Sequence, residues 1–211
     1  MLPKNLHFQE MLMGYSQETN EQERKKLEDS IWREYGRKDT VLALDMSGFS
    51  LLTRKYGIVH YLSMIRRMQL TVEPIVTSHG GSVIKFQADN CFATMPNPLG
   101  AVRAAISIQH ALKASNLLTA DELDIHVSIG IDYGNILFVD GVDIFGDAVN
   151  RACKMGEDIG NADEILISKE AMLLIPKEAE IQGKAIEVSV GGVTSPAFLI
   201  LYRTNVDEEA Q

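Results

Sequence analysis

The sequence predicts an α+β domain built on a ferredoxin-like (split βαβ) antiparallel sheet, and three observations support this. Of the 211 residues, 45% are hydrophobic and 23% are charged, an ordinary globular composition that excludes disordered and low-complexity classes. The length suits one domain with an extension. Short apolar runs and helical patterns alternate in the order β-α-β-β-α-β, which is typical of one sheet with helices on one face.

Residues 1–39 differ from the rest of the chain and predict an N-terminal helical extension. Strong helix formers dominate residues 20–37, and Leu27, Ile31 and Tyr35 form one apolar stripe at i, i+4 and i+8. The stripe suits a helix that packs on its own domain, and it also suits a helix that pairs between two chains or carries a signal. The extension is therefore a candidate dimerisation element or contact for a regulatory partner.

The first predicted strand and the helix after it open the body of the domain. The run TVLALDM at 40–46 is apolar and predicts a buried strand, which Gly48 ends. Periodicity over 58–78 predicts a helix, and Pro74 inside it predicts a kink or a break. The side chains expected near one face of this helix are Leu62, Ile65, Gln69, Val72 and Val76.

Two short strands and a second helix complete the βαββαβ pattern. The strands, at 82–86 and 90–95, flank a turn-like segment, and a helix is predicted over 99–116. The apolar stretch 123–139 predicts a pair of strands joined near Gly134.

The last part of the chain predicts one more helix and the strands that close the domain. The helix starts near Gly146 and runs to about Glu157. The closing strands are predicted at 164–168, 186–190 and 196–202. The predicted domain spans residues 40–205, and residues 206–211 predict a frayed, disordered tail.

The net charge of −9 limits the kinds of partner. A duplex-binding protein needs a basic face, so a nucleic-acid partner is not expected. A small anionic ligand remains compatible, because metal ions can supply positive charge. Two cysteines, Cys91 and Cys153, are too few for a disulfide framework. No signal peptide and no membrane-spanning run is recognised, which favours a cytoplasmic protein.

Two aspartates stand out as candidate metal ligands. Asp45 ends the first predicted strand, and Asp89 lies in the turn between the second and third strands. Because the first and third strands are neighbours in a split βαβ sheet, the two carboxylates can meet at one edge. Paired carboxylates that hold two Mg²⁺ ions suit phosphoryl or nucleotidyl transfer. Taken alone, the pair is a weak signal, because a helix cap and a turn residue explain it equally simply.

Three segments resemble the class III adenylate and guanylate cyclases. LALDMSGFS at 42–50 resembles their first metal-binding strand and loop, and IKFQADNCFA at 84–93 resembles the hairpin with their second metal aspartate. VDIFGDAVNRACKM at 142–155 resembles their substrate-contacting strand and helix. The three blocks occur in the family's order and spacing, and the resemblance covers roughly residues 40–202.

The resemblance implies a site for two Mg²⁺ or Mn²⁺ ions and a triphosphate. Asp45 and Asp89 are implied to be metal ligands, and the backbone carbonyl of Met46 would add a third. Helix N-termini bind anions through their free amides. The amides implied to hold the triphosphate are those of Gly48, Phe49 and Ser50.

The same resemblance implies how the nucleotide is selected. Lys85 occupies the base-selecting position, where adenylate cyclases carry lysine and guanylate cyclases carry glutamate, and Asp143 is its acidic partner. Lysine can donate to adenine N1 and a carboxylate can accept from the 6-amino group, whereas guanine has the opposite polarity. Asn150 is implied to hold the ribose. Lys154 stands where active members usually carry arginine, so a point charge replaces a bidentate fork.

The function implied is that of an adenylate cyclase, a phosphorus–oxygen lyase that forms cyclic AMP from ATP at two sites shared by a homodimer. One alternative is a low-activity or inactive nucleotide-binding regulatory domain, favoured by Lys154 and by the lack of lysine and arginine in 186–201 for the terminal phosphates. Another is a cyclase for GTP or a pyrimidine triphosphate. An RNA-binding ferredoxin-like module is disfavoured by the acidic charge.

Overall fold

The computed structural model describes residues 4–139, 141–190 and 193–202, and the predicted tail at 206–211 lies outside them. In chain order the main elements are α1 (Lys4–Gln17), α2 (Glu21–Tyr35), β1 (Gly36–Met46), α3 (Phe49–Tyr56), α4 (Ile58–Ser78), β2 (Ser82–Gln87), β3 (Asn90–Met95), α5 (Pro98–Asn116), β4 (Val127–Val139), β5 (Asp143–Phe145), α6 (Asp147–Cys153), a π-helical turn (Lys154–Ile159), β6 (Ile165–Ser168), α7 (Lys169–Met172), β7 (Gln182–Val190) and β8 (Val193–Leu201).

The strands form one sheet in the order β2-β3-β1-β4-β6-β8-β7, with β5 paired to β4 outside this path. β3 lies between β1 and β2, and β1 lies between β3 and β4, which is the predicted split βαβ arrangement. The β1–β3 and β1–β4 pairs are antiparallel. The β4–β6 pair is parallel, so the sheet is mixed rather than wholly antiparallel as predicted.

The alternation of side chains along β1 divides the core into two layers. Leu42, Leu44 and Met46 lie in the main core with residues of α4 and α5. Val41 and Ala43 point to the other face and pack with residues of α6. The prediction of helices on one face is therefore incomplete, because α6 covers the opposite face.

The prediction of two strands over 123–139 is wrong, because β4 is continuous from Val127 to Val139. The expected turn at Gly134 does not occur, since Gly134 lies opposite Asp39 in the ladder with β1. β1 begins at Gly36, four residues earlier than predicted, and its whole length pairs with β4. This long ladder overrides the local turn signal of the glycine.

The buried face of helix α4 only partly matches the face predicted for the helix at 58–78. Leu62 is 54% exposed, and the aromatic side chain of the preceding Tyr61 is buried instead. The helix also runs through Pro74 without a break. The buried face consists of Tyr61, Met64, Ile65, Met68, Val72 and Val76.

The N-terminal extension is helical and packs on its own domain. Ile31 and Tyr35, from the predicted stripe of α2, form a buried cluster with Phe8 of α1 and Val139 at the end of β4. The stripe therefore packs on its own domain within a single chain, which is one of the two predicted uses. Pairing of the extension between two chains stays a prediction.

Two glycines allow α6 and the π-helical turn to touch the sheet backbone. A Cβ added at Gly130 of β4 would lie 2.0 Å from the carbonyl oxygen of Ala152 and 2.6 Å from the amide nitrogen of Gly156. A Cβ at Gly156 would lie 2.8 Å from the carbonyl oxygen of Ala43. Any larger residue would push the helix away from β1 and β4.

The two cysteines are free thiols; Cys91 is buried and Cys153 is only partly buried. Burial raises the pKa of the Cys91 thiol to about 12, which keeps it protonated and unreactive at neutral pH. Across the three described ranges, no helix has both the length and the apolar character needed to cross a lipid bilayer.

We expect Gly130→Ala to lower the free energy of unfolding by about 2 kcal/mol or more, because the new methyl group would overlap the Ala152 carbonyl oxygen. Gly14→Ala in α1 is the matched control, since its added Cβ would have nothing within 4 Å. Alanine favours a helix over glycine, so the control should be slightly stabilised. Urea unfolding measures both effects. Wild-type stability of Gly130→Ala would contradict the close approach.

Candidate active site

The ends of β1 and β3 bring two carboxylates together. Asp45 pairs with Asn90 in the β1–β3 ladder, and Asp89 is the residue just before Asn90 in the β2–β3 turn. Partial burial raises the pKa of Asp45 to about 7, together with the negative charges of Asp89, Glu157 and Asp158. The cluster is therefore electrostatically unfavourable unless a cation joins it.

Tyr61 of α4 is a site residue that sequence reasoning missed. Its hydroxyl donates to Asp89 Oδ2 at 3.0 Å, and the same oxygen lies 3.4 Å from the carbonyl oxygen of Met46. Burial and the charge of Asp89 raise the pKa of Tyr61, so the phenol stays a donor. It links the second carboxylate to the carbonyl proposed as a ligand. The only sequence signal was an aromatic residue next to Leu62, which was expected on the buried face of this helix.

The donor set fits Mg²⁺ or Mn²⁺. Carboxylate and carbonyl oxygens are the ligands that these hard cations prefer. Burial is the main cause of the raised pKa of Asp45, and a cation would offset the carboxylate repulsion that adds to it. Within the part of the chain that the structure describes, no group of three or more acidic, histidine or cysteine side chains is arranged for a metal. The remaining ligands would come from backbone carbonyls, water and substrate phosphates, as is usual for Mg²⁺ in nucleotide sites.

The loop after β1 leaves a helix N-terminus open. Gly48, the N-cap of α3, has φ 92° and offers no side-chain cap. The first intrahelical bond joins the amide of Leu52 to the carbonyl of Gly48, at 2.9 Å. The earlier backbone amides, including those of Phe49 and Ser50, have no acceptor within the helix and are suited to hold an anion.

The turn that carries Asp89 is built on a left-handed residue. Ala88 has φ 51°, a conformation that glycine adopts at lower energy. In this chain the turn holds the same conformation with some strain.

The proposed base-selecting pair forms a direct ion pair. Lys85 Nζ of β2 donates to Asp143 Oδ2 of β5 at 2.8 Å, and the two side chains are 29% and 23% exposed. The ammonium group also lies 5.0 Å from the centre of the Phe92 ring. A donor and an acceptor therefore stand side by side in a partly buried setting.

Asn150 and Lys154 lie on the helix that covers the second face of the sheet. Asn150 is exposed on α6. Lys154 begins the π-helical turn, and its Nζ donates to Asp158 Oδ2 at 2.5 Å. Because Asp158 also raises the pKa of Asp45, this turn borders the carboxylate cluster of the same chain.

A buried ion pair that the sequence did not reveal anchors α6. Asp132 of β4 is 0% exposed and accepts a hydrogen bond from Arg151 Nε at 2.6 Å and another from the hydroxyl of Ser168 in β6. Burial raises the pKa of Asp132, while Ser168 and Arg151 oppose the shift. The pair fixes the helix that presents Asn150. Its only sequence signal was an aspartate inside the apolar strand of β4.

Comparisons with known proteins agree with this geometry. The family model for the adenylate and guanylate cyclase catalytic domain matches residues 36–200. The chain is 33% identical over 116 residues to putative adenylate cyclase 3 of Rhizobium meliloti (strain 1021), which covers 54% of this chain. The chain spans only 19% of the length of that relative.

Solved structures of cyclases are also similar to this chain. The adenylate/guanylate cyclase/hydrolase from Silicibacter pomeroyi is 28% identical, with a TM-score of 0.65 over 78% of this chain and 95% of the other. The adenylyl cyclase CyaB from P. aeruginosa is 20% identical, with a TM-score of 0.67 over 81% and 97%, a likeness of fold.

We expect Asp45→Asn to flatten the pH dependence of stability in metal-free protein. The pKa of Asp45 is about 7 in the folded chain against an ordinary value of 3.8, so the folded state binds this proton more tightly than the unfolded state. Ionisation therefore lowers wild-type stability as pH rises from about 4 to about 7. Asparagine does not ionise, so the melting temperature in EDTA should decline less and be higher at pH 8.

Asp121→Asn, at an exposed aspartate after α5, is the control and should keep the wild-type decline. Adding Mn²⁺ at pH 8 should raise the melting temperature of wild type and of this control, but not of Asp45→Asn. Parallel pH curves for wild type and Asp45→Asn would contradict the carboxylate cluster.

Proposed function

This chain belongs to the family of adenylate and guanylate cyclase catalytic domains, and we propose that it converts ATP to 3′,5′-cyclic AMP and pyrophosphate. The observation that carries the choice of base is the 2.8 Å pair between Lys85 and Asp143. An ammonium group can donate to N1 of adenine, and the neighbouring carboxylate can accept from its 6-amino group. Guanine exchanges the donor and the acceptor at these two positions, so the pair favours ATP over GTP.

The metal site is proposed at Asp45, Asp89 and the carbonyl of Met46. Two Mg²⁺ or Mn²⁺ ions held there would supply Lewis acidity and neutralise charge on the triphosphate. Tyr61 keeps Asp89 in place through its hydroxyl, so the second carboxylate is oriented before substrate arrives.

The remaining groups act on the phosphates and the ribose. The open amides at the start of α3, at Gly48, Phe49 and Ser50, would bind phosphate oxygens. Asn150 would hold the ribose so that its 3′-oxygen faces the α-phosphorus. In the reaction, the ribose 3′-hydroxyl loses its proton to water and its oxygen forms a bond to the α-phosphorus. The bond between the α-phosphorus and the oxygen that bridges to the β-phosphate breaks, and pyrophosphate leaves. Lys154 would offset the charge that develops on the α-phosphate.

We infer that two copies of the chain build the site. One copy would contribute Asp45 and Asp89, and the other would contribute Lys85, Asp143, Asn150 and Lys154. Asn150 is exposed on its own chain, so it is free to face a partner. A single chain would then hold two half-sites and be inactive.

One observation favours a second candidate, a nucleotide-binding domain with little or no turnover. Lys154 replaces an expected arginine and is paired with Asp158 at 2.5 Å, so part of its charge is neutralised within the chain. Arginine would offer a bidentate contact that lysine lacks. Such a domain would bind ATP with metal and act as a regulator.

We expect the purified chain to form cyclic AMP from ATP in the presence of Mn²⁺ or Mg²⁺, and to form less product from GTP, CTP and UTP. Mass spectrometry of all four reactions identifies the product. Asp143→Ala should lower kcat/KM for ATP by about 10- to 100-fold, because a hydrogen bond to a charged group is lost. Binding of ATP without turnover would support the regulatory candidate, and a cyclic product chiefly from GTP or a pyrimidine triphosphate would contradict the assigned base.

Mixing inactive variants tests the shared site. Asp45→Ala and Asn150→Ala should each be inactive as homodimers, because each lacks one component in both sites. In a heterodimer one of the two sites is intact, so an equal mixture should recover about a quarter of wild-type activity. No recovery, with exchange of chains verified by differently tagged copies, would contradict a site built from two chains.

A further inference from the structure

The N-terminal extension touches the strand that carries Asp143. It lies almost entirely before the residues matched by the family model, which begin at 36. Phe8 of α1 is only 3% exposed, and its ring stacks on that of Phe145 in β5, with centroids 5.8 Å apart and planes at 15°. The ring of Tyr35 in α2 packs edge-on against the Phe8 ring, with centroids 4.9 Å apart. Phe8 is therefore a point of contact between the extension and β5.

Strand β5 needs such support because it is very short. It has three residues, and its ladder to β4 pairs Phe145 with Leu137 and Asp143 with Val139. Side chains alternate along a strand, so Asp143 and Phe145 point to one side and Ile144 to the other. Ile144 is buried in the layer under α6. A contact that holds Phe145 therefore holds the side of β5 that also carries Asp143.

We propose that Phe8 is a positioning residue for base recognition, which acts through Phe145 to hold Asp143 beside Lys85. The inference rests on the proposed function, in which the Asp143 carboxylate accepts from the 6-amino group of adenine. Loss of the Phe8 ring would remove the surface on which Phe145 stacks and allow β5 to move. The carboxylate would then meet the amino group less well, while the metal-binding end of the site would be unaffected.

The location of Phe8 supports a local effect. Its buried cluster, with Ile31, Tyr35 and Val139, is separate from the main core under α4 and α5. The carboxylates at Asp45 and Asp89 lie at the opposite end of β1 from Gly36, where the extension enters the sheet. Removing the ring should therefore disturb β5 more than the metal-binding residues.

The test compares Phe8→Ala with Met13→Ala, a truncation on the same helix at a residue that is 55% exposed. The substrates are ATP and purine riboside triphosphate, which lacks only the 6-amino group. Phe8→Ala should raise KM for ATP about 2- to 10-fold, the loss expected for one aromatic pair, and leave kcat within about twofold. KM for the analogue should not change, and Met13→Ala should match wild type with both.

A double variant tests whether Phe8 acts through Asp143. In the Asp143→Ala background, adding Phe8→Ala should cause no further rise in KM for ATP, since the group it positions is already absent. The inference is overturned if the two effects add fully, if Phe8→Ala affects both substrates equally, or if it lowers kcat with KM unchanged.

Amide hydrogen exchange provides a readout that does not need catalysis. Peptides covering residues 141–146 should exchange faster in Phe8→Ala than in wild type or Met13→Ala. If wild type forms no cyclic nucleotide from any triphosphate, the proposed function fails. The inference is then decided by this exchange together with the Kd for ATP against that for the analogue, and wild-type behaviour in both would overturn it.

Discussion

The pairing of β1 with β3 on one side and β4 on the other decides where the proposed functional groups lie. Because side chains alternate, Leu44 and Met46 enter the main core while Ala43 and Asp45 face the opposite layer. A slip of one residue would exchange these faces and bury the carboxylate among apolar side chains. The register with β3 also sets the position of the Asp89 turn. Burial of both faces of one strand therefore specifies the site before any ligand is considered.

The site opposes the stability that the core provides. Burial raises the pKa of Asp45, and the negative charges of Asp89, Glu157 and Asp158 raise it further. Burial, together with the charges of Asp158 and Asp89, also raises the pKa of Glu157. Such a cluster is unfavourable in an unliganded protein, and a bound cation would relieve the repulsion. The carboxylate repulsion that lowers the stability of the unliganded protein would therefore also favour binding of a divalent ion at this cluster.

The parts of the fold that local pattern determines could be predicted, and those that depend on tertiary contacts could not. The Asp45–Asp89 juxtaposition follows from the strand order alone. The continuous β4 could not be predicted from local sequence. Gly134 favours a turn, and the strand continues through it because it pairs with β1, which is a tertiary contact. Tyr61 was missed because Leu62 fits the stripe equally well, and only packing under the sheet distinguishes them. The anchor of α6 at Asp132 requires partners 19 and 36 residues away.

Charge pairing within the chain sets conditions on substrate binding. Lys85 is paired with Asp143, and Lys154 is paired with Asp158, so both lysines of the proposed site already have partners. In the proposed site, ATP would have to replace or share these contacts, and a triphosphate alone would also approach the carboxylate cluster. Adenine can satisfy Lys85 and Asp143 at the same time, since it offers an acceptor and a donor side by side. A base with the opposite pattern would leave both partly buried charges poorly matched, which opposes its binding. In the proposed site, discrimination between bases would therefore come from the fixed pair, and it would depend on how firmly the short strand β5 is held.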